Sequence, residues 1–412
     1  MNAQIALVVP EYRTEAAAGG GVATVADFVY SALSSVPAWD VEILSPRMWS
    51  RAPESQRLLD PGSWIRGPQA RVGEAKGVPV TYVGSHFAEI ESLRFRSRRI
   101  LRAMLARFDL VFVVSGTPAA FEMVRGVDAP VLAQVATTIK VERAKLVTKG
   151  GVLQQFYTRL NRILTYRLDL SGVRIPQLIL AENPWMQEWC REHGAADVRI
   201  AMPGVDTDFF SPGAESAQSA GYIVSVGRLN DPRKDFGLLL RAYARAVRRN
   251  SVSQKLVIAG REDLPREVYQ LWESLGLGSR VEVRRDLSPE QLRDVYRGAD
   301  LFAMSSSEEG LGLVLVEALA CGTPIVSTAT EGAKSVVTTT GVGTLVELAG
   351  KAEERLADAI AELAIDTEGR AQRSEEARRA AVDHFSVQNT QKQFCEAVAS
   401  LLRPVQGRLP EH

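Results

Sequence analysis

Two stretches of this chain combine charge, glycine and position in a way that suits a phosphorylated ligand. In VSVGRLNDPRKDFGLLLRAY, Arg228 follows directly on an apolar run, Gly227 permits a tight turn, and Lys234 stands where a helical pattern begins. Arginine clasps a phosphate with paired hydrogen bonds, while lysine supplies a mobile point charge. Each charge-assisted hydrogen bond of this kind contributes about 1.5–3 kcal/mol. In SSSEEGLGLVLVEALACGTPIVS, Glu309 precedes Gly310, Leu311 and Gly312. A helix is expected from Leu313 to about Cys321, with Gly322 as its stop and Pro324 beyond. A helix start with free amides attracts anions, at roughly 0.3–1 kcal/mol per contact. Glu317, one turn inside, could then reach a sugar hydroxyl beside the anion, and Glu309 could address the ligand from the other side. Taken alone, the two carboxylates read equally well as a helix cap and a solvated side chain. A basic pair after one strand, together with a glycine-flanked helix start after another, favours a diphosphate with carboxylates for sugar hydroxyls.

The elements that must hold these residues are short apolar runs alternating with helical patterns. IALVVP, DLVFVVSG, APVLAQVATT and QLILAENP do so in the first half, and GYIVSVG, KLVIAG, ADLFAMS and PIVST in the second. VATVADFVYSAL and PAAFEMV read as intervening helices. Such runs of four to eight apolar residues are buried parallel strands, and two series predict two doubly wound α/β domains. The rhythm breaks at PGVDTDFFSPGAESAQSAG, a Pro-, Gly- and Ser-rich linker. Open parallel sheets bind ligands at the carboxyl ends of their strands. In the first half that rule selects Glu11 with Tyr12, Ser115, Thr137 with Thr138, and Asn183. These are candidate ligand-binding residues.

Composition bounds the rest. The chain has 412 residues, 46% of them apolar and 24% charged, with a formal net charge of zero. That balance gives no electrostatic case for nucleic acid. The three cysteines, Cys190, Cys321 and Cys395, have no metal-ligand spacing and read poorly as a disulfide framework. The opening MNAQIALVVPEY has no basic leader or cleavage-like site, and no window reaches the apolar length of a membrane span. A cytoplasmic chain is the expectation. The run LRFRSRRILRAMLARF carries six arginines between Arg94 and Arg107 and no acid. As one helix it would offer a basic face for weak peripheral contact with anionic lipid, at the inner face of the membrane. It equally fits a solvated face.

The motif SSSEEGLGLVLVEALACGTPIVST resembles the E-x7-E signature of glycosyltransferase family 4, retaining nucleotide-sugar enzymes with the GT-B fold. VGRLNDPRKDFGLLLRAY is similar to that family's G-R-L…K segment, PGVDTDFF to its interdomain linker, and GGGVATVADFVYSAL to its first glycine turn and helix. The resemblance implies two Rossmann-like doubly wound domains, residues 1–203 and 221–384, facing a cleft. A linker would span 204–220, and a terminal helix, 385–412, would cross back to the first domain. It implies that Arg228 and Lys234 bind the donor diphosphate and that Gly20 or Gly21 brings backbone close to it. The amides of Leu313 and Val314 would cap the phosphates and Glu317 would bond the ribose. Glu309 with the backbone from Gly310 to Gly312 would hold the transferred sugar. It further implies retention without a metal or other cofactor, by front-face attack in which the leaving phosphate helps deprotonate the acceptor. The donor is a UDP-sugar, the commoner choice, or a GDP-sugar. The acceptor would be a small molecule, a glycan or a lipid-linked intermediate, bound near Glu11, Tyr12, Ser115, Thr137, Thr138 and Asn183. Two other readings stay open, a nucleotide-sugar-binding scaffold without catalysis and a GT-B sugar epimerase.

The sequence departs from the family in two places. Where many relatives carry a histidine after the strand matching APVLAQVATTIKVE, this chain has Thr137, Thr138 and Lys140. That difference points to a donor sugar without a 6-hydroxyl or in another pose. Where relatives commonly have a glycine near the nucleotide base, Arg285 stands here. Arg284 and Arg285 are candidates to read or stack on that base, or equally to sit in solvent.

Overall fold

The structure is a computed structural model that describes residues 2–12, 21–49, 51–143, 152–213, 221–249, 252–366 and 368–402, with side chains in the helix Val152–Gly172 from 158 onward. The chain divides into two compact units. One comprises Met1–Pro203 with Gln391–His412, the other Gly204–Thr390. Gly20 and part of the 204–220 stretch lie outside the described residues.

The first unit is built on eight strands: β1 Ala3–Val8, β2 Trp39–Pro46, β3 Ala70–Ala75, β4 Val78–Val83, β5 Leu110–Val114, β6 Val131–Val135, β7 Leu178–Ala181 and β8 Val198–Ile200. Their order is β3-β4-β2-β1-β5-β6-β7-β8, parallel throughout except for the β3–β4 hairpin. Every residue of β5 and β6 is buried, which is why both read as unbroken apolar runs. Three elements differ from expectation. Strand β2 escapes the apolar-run rule because Asp40 and Glu42 interrupt it. Strand β3 is an exposed, charged edge closed by a two-residue turn in which Lys76 and Gly77 both have positive φ. PAAFEMV forms a fully buried 3-10 segment, Pro118–Val124, rather than an α-helix. Its amide at Ala119 donates to Asp169 at 3.0 Å, and Ile139 N donates to the same carboxylate at 2.8 Å. Burial pushes the Asp169 carboxyl up to about 7.

The arginine run is not one basic helix. It is split into Glu91–Arg94 and Arg99–Leu105. Arg98 between them is 1% exposed and donates to the carbonyls of Val83, Arg47 and Arg94 at 2.9–3.0 Å. Arg107 is paired with Glu42. A side chain that staples three backbone segments cannot lie on a lipid-facing surface, so the continuous cationic face expected from the sequence does not exist. Among the described residues no helix is long and apolar enough to cross a membrane.

The second unit has six strands, all parallel: β9 Tyr222–Arg228, β10 Leu256–Arg261, β11 Val281–Arg285, β12 Ala299–Met304, β13 Ile325–Thr328 and β14 Thr344–Val346. Their order is β11-β10-β9-β12-β13-β14. Leu239, Leu240, Tyr243, Ile258, Leu301, Leu356 and Ile360 form its core, with the helices Phe236–Arg248 and Ala352–Ile365 covering the sheet. The terminal helix Val387–Leu402 begins in this unit. Its residues from Gln391 group with the first unit, where Phe394 packs edge-on against Phe28 at 5.1 Å. At the other end of the passage Val205 forms a parallel bridge with Ser386.

Candidate functional site

Strand order marks a candidate site in the second unit. Successive strands run outward from β9 in both directions, so the order reverses between β9 and β12. At such a reversal the connecting loops part to opposite faces and leave a crevice beyond the strand ends. The segments leaving that crevice are the two singled out by their chemistry: Arg228 ends β9, and Ser305 follows β12.

The two loops are bonded to each other. Ser307 N donates to Arg233 O at 2.7 Å, Ser307 Oγ to the same carbonyl at 3.1 Å, and Ser305 Oγ to Lys234 O at 2.9 Å. Lys234 and Glu309 form a largely buried ion pair across them. Arg233 links Asp231 to Glu308, each at 2.8 Å, and Arg228 reaches Asp231 at 2.7 Å. The Arg233 and Arg228 guanidiniums hold the Asp231 carboxyl below its ordinary range against the opposing effect of burial. Arg228 remains half exposed at the crevice.

Beyond Glu309 the chain turns through Gly310, Leu311 and Gly312 into the helix Leu313–Ala320. Gly312 is the N-cap with φ +78°, a left-handed conformation that a side chain disfavours. No acidic residue occupies the first turn, so the amides at Leu313 and Val314 meet no carboxylate from it. A second helix, Glu331–Thr340, holds the turn from behind. Gly332 N donates to Glu309 O at 2.8 Å, and a Cβ at Gly332 would fall 2.8 Å from the Leu311 backbone. Glu317 is half-buried and accepts from Tyr296 Oη at 2.7 Å. Desolvation pushes its carboxyl up to about 7, with the Tyr296 bond acting the other way.

Other predicted residues fare differently. Gly21 is the exposed first residue of the helix Gly21–Ser34. Arg285 pairs with Asp263 at 2.8 Å, and both are half exposed. In the register of β10 with β11 it lies opposite Gly260, one position before the Arg261–Arg228 pair, so its side chain leaves the other face of the sheet from Arg228. Arg284 lies over the ring of Tyr222, the first residue of β9, and bonds Glu282 at 2.7 Å. Glu11, Ser115, Thr137 and Asn183 do share the carboxyl edge of the first sheet, following β1, β5, β6 and β7. Much of their bonding capacity serves the fold. Glu11 accepts from Met48 N and Trp49 N, and Ser115 Oγ from Thr117 N. Thr137 N bonds Gly116 O, while the Thr138 and Asn183 side chains cap helix starts. Tyr12 is 2% exposed and its phenol donates to Asp27, which with burial raises its pKa.

Sequence reasoning missed Arg261. It ends β10 as the direct partner of Arg228, and its Nη1 is enclosed without a hydrogen-bond partner among the described residues. Ser306 Oγ, just past β12, is likewise buried and unpartnered. The signal lay one position beyond Gly260, at the end of KLVIAG, but only strand register shows that it adjoins Arg228. Among the described residues no group of three or more His, Cys, Asp or Glu is placed to hold a metal ion.

Residues 206–380, most of the second unit, match the family model described as glycosyl transferases group 1. The D-inositol 3-phosphate glycosyltransferase of Corynebacterium urealyticum is 31% identical over 238 residues, 53% of this chain and 54% of that protein. Its counterpart in Mycolicibacterium smegmatis is 36% identical over 186 residues, 42% of each. The chain thus spans about half the length of these curated relatives. The fold extends further than the sequence likeness. Sucrose-phosphate synthase from Thermosynechococcus elongatus superposes with a TM-score of 0.71 at 19% identity, covering 97% of this chain and 99% of that one. Anabaena Alr3699/HepE, solved with UDP and glucose, gives 0.66 at 17%, covering 96% and 99%. The fold class is therefore GT-B, with two predominantly parallel α/β units.

Proposed function

We propose that this chain is a retaining glycosyltransferase that moves a sugar from a nucleoside-diphosphate donor to a hydroxyl acceptor without a metal. The observation that carries the reading is the meeting of Arg228, Lys234, Glu309 and an acid-free helix start at the strand-order reversal of the unit that matches the group 1 model. In the reaction the glycosidic C–O bond to the diphosphate breaks while a bond to the acceptor oxygen forms on the same face. Negative charge grows on the leaving diphosphate. Arg228, Lys234 and the amides of Leu313 and Val314 are the cationic and dipolar groups at the crevice that would meet that charge. Lys234 must exchange Glu309 for phosphate, which releases Glu309 to accept from sugar hydroxyls. Glu317 has Oε2 engaged by Tyr296 and Oε1 left for the ribose. The acceptor proton passes to a leaving phosphate oxygen, so no side-chain nucleophile is needed.

UDP is the base favoured on frequency. The acceptor belongs to the first unit's carboxyl edge, and the relatives' name puts D-inositol 3-phosphate at the head of an acceptor screen. The threonines that replace the family's histidine lead to a preferred donor sugar that lacks a 6-hydroxyl or sits in another pose. Equal turnover of glucose and 6-deoxy donors would remove that idea. The decisive assay incubates the protein with UDP- and GDP-sugars and an acceptor panel, following nucleotide release and product anomer by NMR. A product with the donor's anomeric configuration is expected. An inverted product contradicts retention, and donor isomerised without acceptor selects the epimerase.

A further inference from the structure

We propose that Arg261 is a second guanidinium for the donor's diphosphate, acting beside Arg228. Three observations converge on it. First, Arg261 and Arg228 are Cα partners in the parallel β9–β10 pair, each the last residue of its strand. Partners in register send their side chains to the same face of a sheet. Arg261 is thus the neighbour of the candidate phosphate arginine, a place that Arg285, aligned with Gly260, does not hold.

Second, Arg261 Nη1 is enclosed and has no acceptor within the protein among the described residues. A buried charged donor without a partner is costly. Among the described residues, Arg47, Arg98, Arg245 and Arg373 also bury an Nε without a hydrogen-bond partner. What sets Arg261 apart is its place beside Arg228 at the strand ends, where an acceptor can arrive from outside the protein. Its neighbours are already committed: Arg228 to Asp231, and Arg285 to Asp263. Third, Ser306 Oγ on the other side of β9 is also buried and unpartnered. The strands flanking β9 on both sides therefore end beside unmet polar atoms at the carboxyl edge where the crevice opens. A diphosphate carries enough acceptor oxygens for both arginines and Lys234 at once. A nucleobase or a ribose offers fewer and carries no charge to neutralise.

This inference rests on the donor-site reading, and the test separates the two. Wild type, R261Q, R261K and R228Q are titrated calorimetrically with UDP and GDP, and with uridine and guanosine, at two salt concentrations. The expected result is a loss of about 10- to 100-fold in diphosphate affinity for R261Q, a smaller loss for R261K, and nucleoside affinity unchanged. The salt dependence of diphosphate binding should also flatten in R261Q. Its melting temperature should hold or rise, because the substitution removes a buried charge that has no partner rather than a bond. If R261Q binds the diphosphate like wild type while R228Q loses it, Arg261 has no part in the site. If R261Q melts lower with affinity intact, the residue is structural and the proposal falls. Wild type that binds neither diphosphate removes the donor-site reading, and this proposal with it.

Discussion

Burial pushes the Glu317 carboxyl up to about 7 from an ordinary value of 4.5, and the Asp169 carboxyl up to about 7 from 3.8. Between those limits the folded chain holds protons that the unfolded chain releases. The stability they contribute is full below about pH 4, declines as pH rises, and is gone above the folded values, with each worth on the order of 3–4 kcal/mol at most. The melting temperature of wild type should therefore fall from pH 5 to pH 7, and E317Q should fall less, since Asp169 still contributes. Equal slopes for the two proteins would show that Glu317 is ionised throughout that range. Glu309 gives a prediction of opposite character. It neutralises Lys234, and its charge opposes an incoming diphosphate. E309Q should bind free UDP or GDP several-fold tighter by titration yet lose glycosyl transfer, because the sugar loses its anchor. Weaker diphosphate binding in E309Q would mean that the carboxylate positions the lysine rather than competing for it.

At the scale of elements, the site is a turn clamped between two helices. The helix Glu331–Thr340 touches the 309–312 turn through Gly332, where backbone meets backbone. G332A should push that turn outward and cost about tenfold or more in diphosphate affinity, alongside a lower melting temperature. Affinity equal to wild type would show that the turn's position does not matter to binding. The elements were readable to different degrees. The buried parallel strands announced themselves as apolar runs, and the helix from Leu313 was bounded by Gly312 and Gly322 as the capping residues implied. The edge hairpin β3–β4 was not readable, since its exposed strand has no apolar pattern to show. The split of the arginine run was hidden for another reason. Arg98 looks like its neighbours in sequence, and only the carbonyls of Val83 and Arg47, brought in from elsewhere, distinguish it.

On the scale of the whole molecule, two units of related architecture carry different burdens. The second unit's edge presents charged groups bound to one another across two loops, a constellation that short motifs could reveal because its members lie within a few residues of strand ends. Arg261 escaped that reading because its relation to Arg228 is one of register across the sheet, far apart in the chain. The first unit's edge presents Tyr12, Thr138 and Asn183 buried in structural bonds, an arrangement set by packing that no local motif encodes. The central claim is that the reversal between β9 and β12 binds a nucleoside diphosphate. The most direct test is calorimetric titration of wild type and of the R228A/K234A double variant with UDP and GDP. Binding that stabilises only the folded chain should also raise its unfolding free energy by about 2.7 kcal/mol at a hundredfold excess over Kd. The account predicts saturable binding of one diphosphate by wild type and its loss, by two orders of magnitude or more, in the double variant. Undiminished binding in the double variant, or none in wild type, would contradict it.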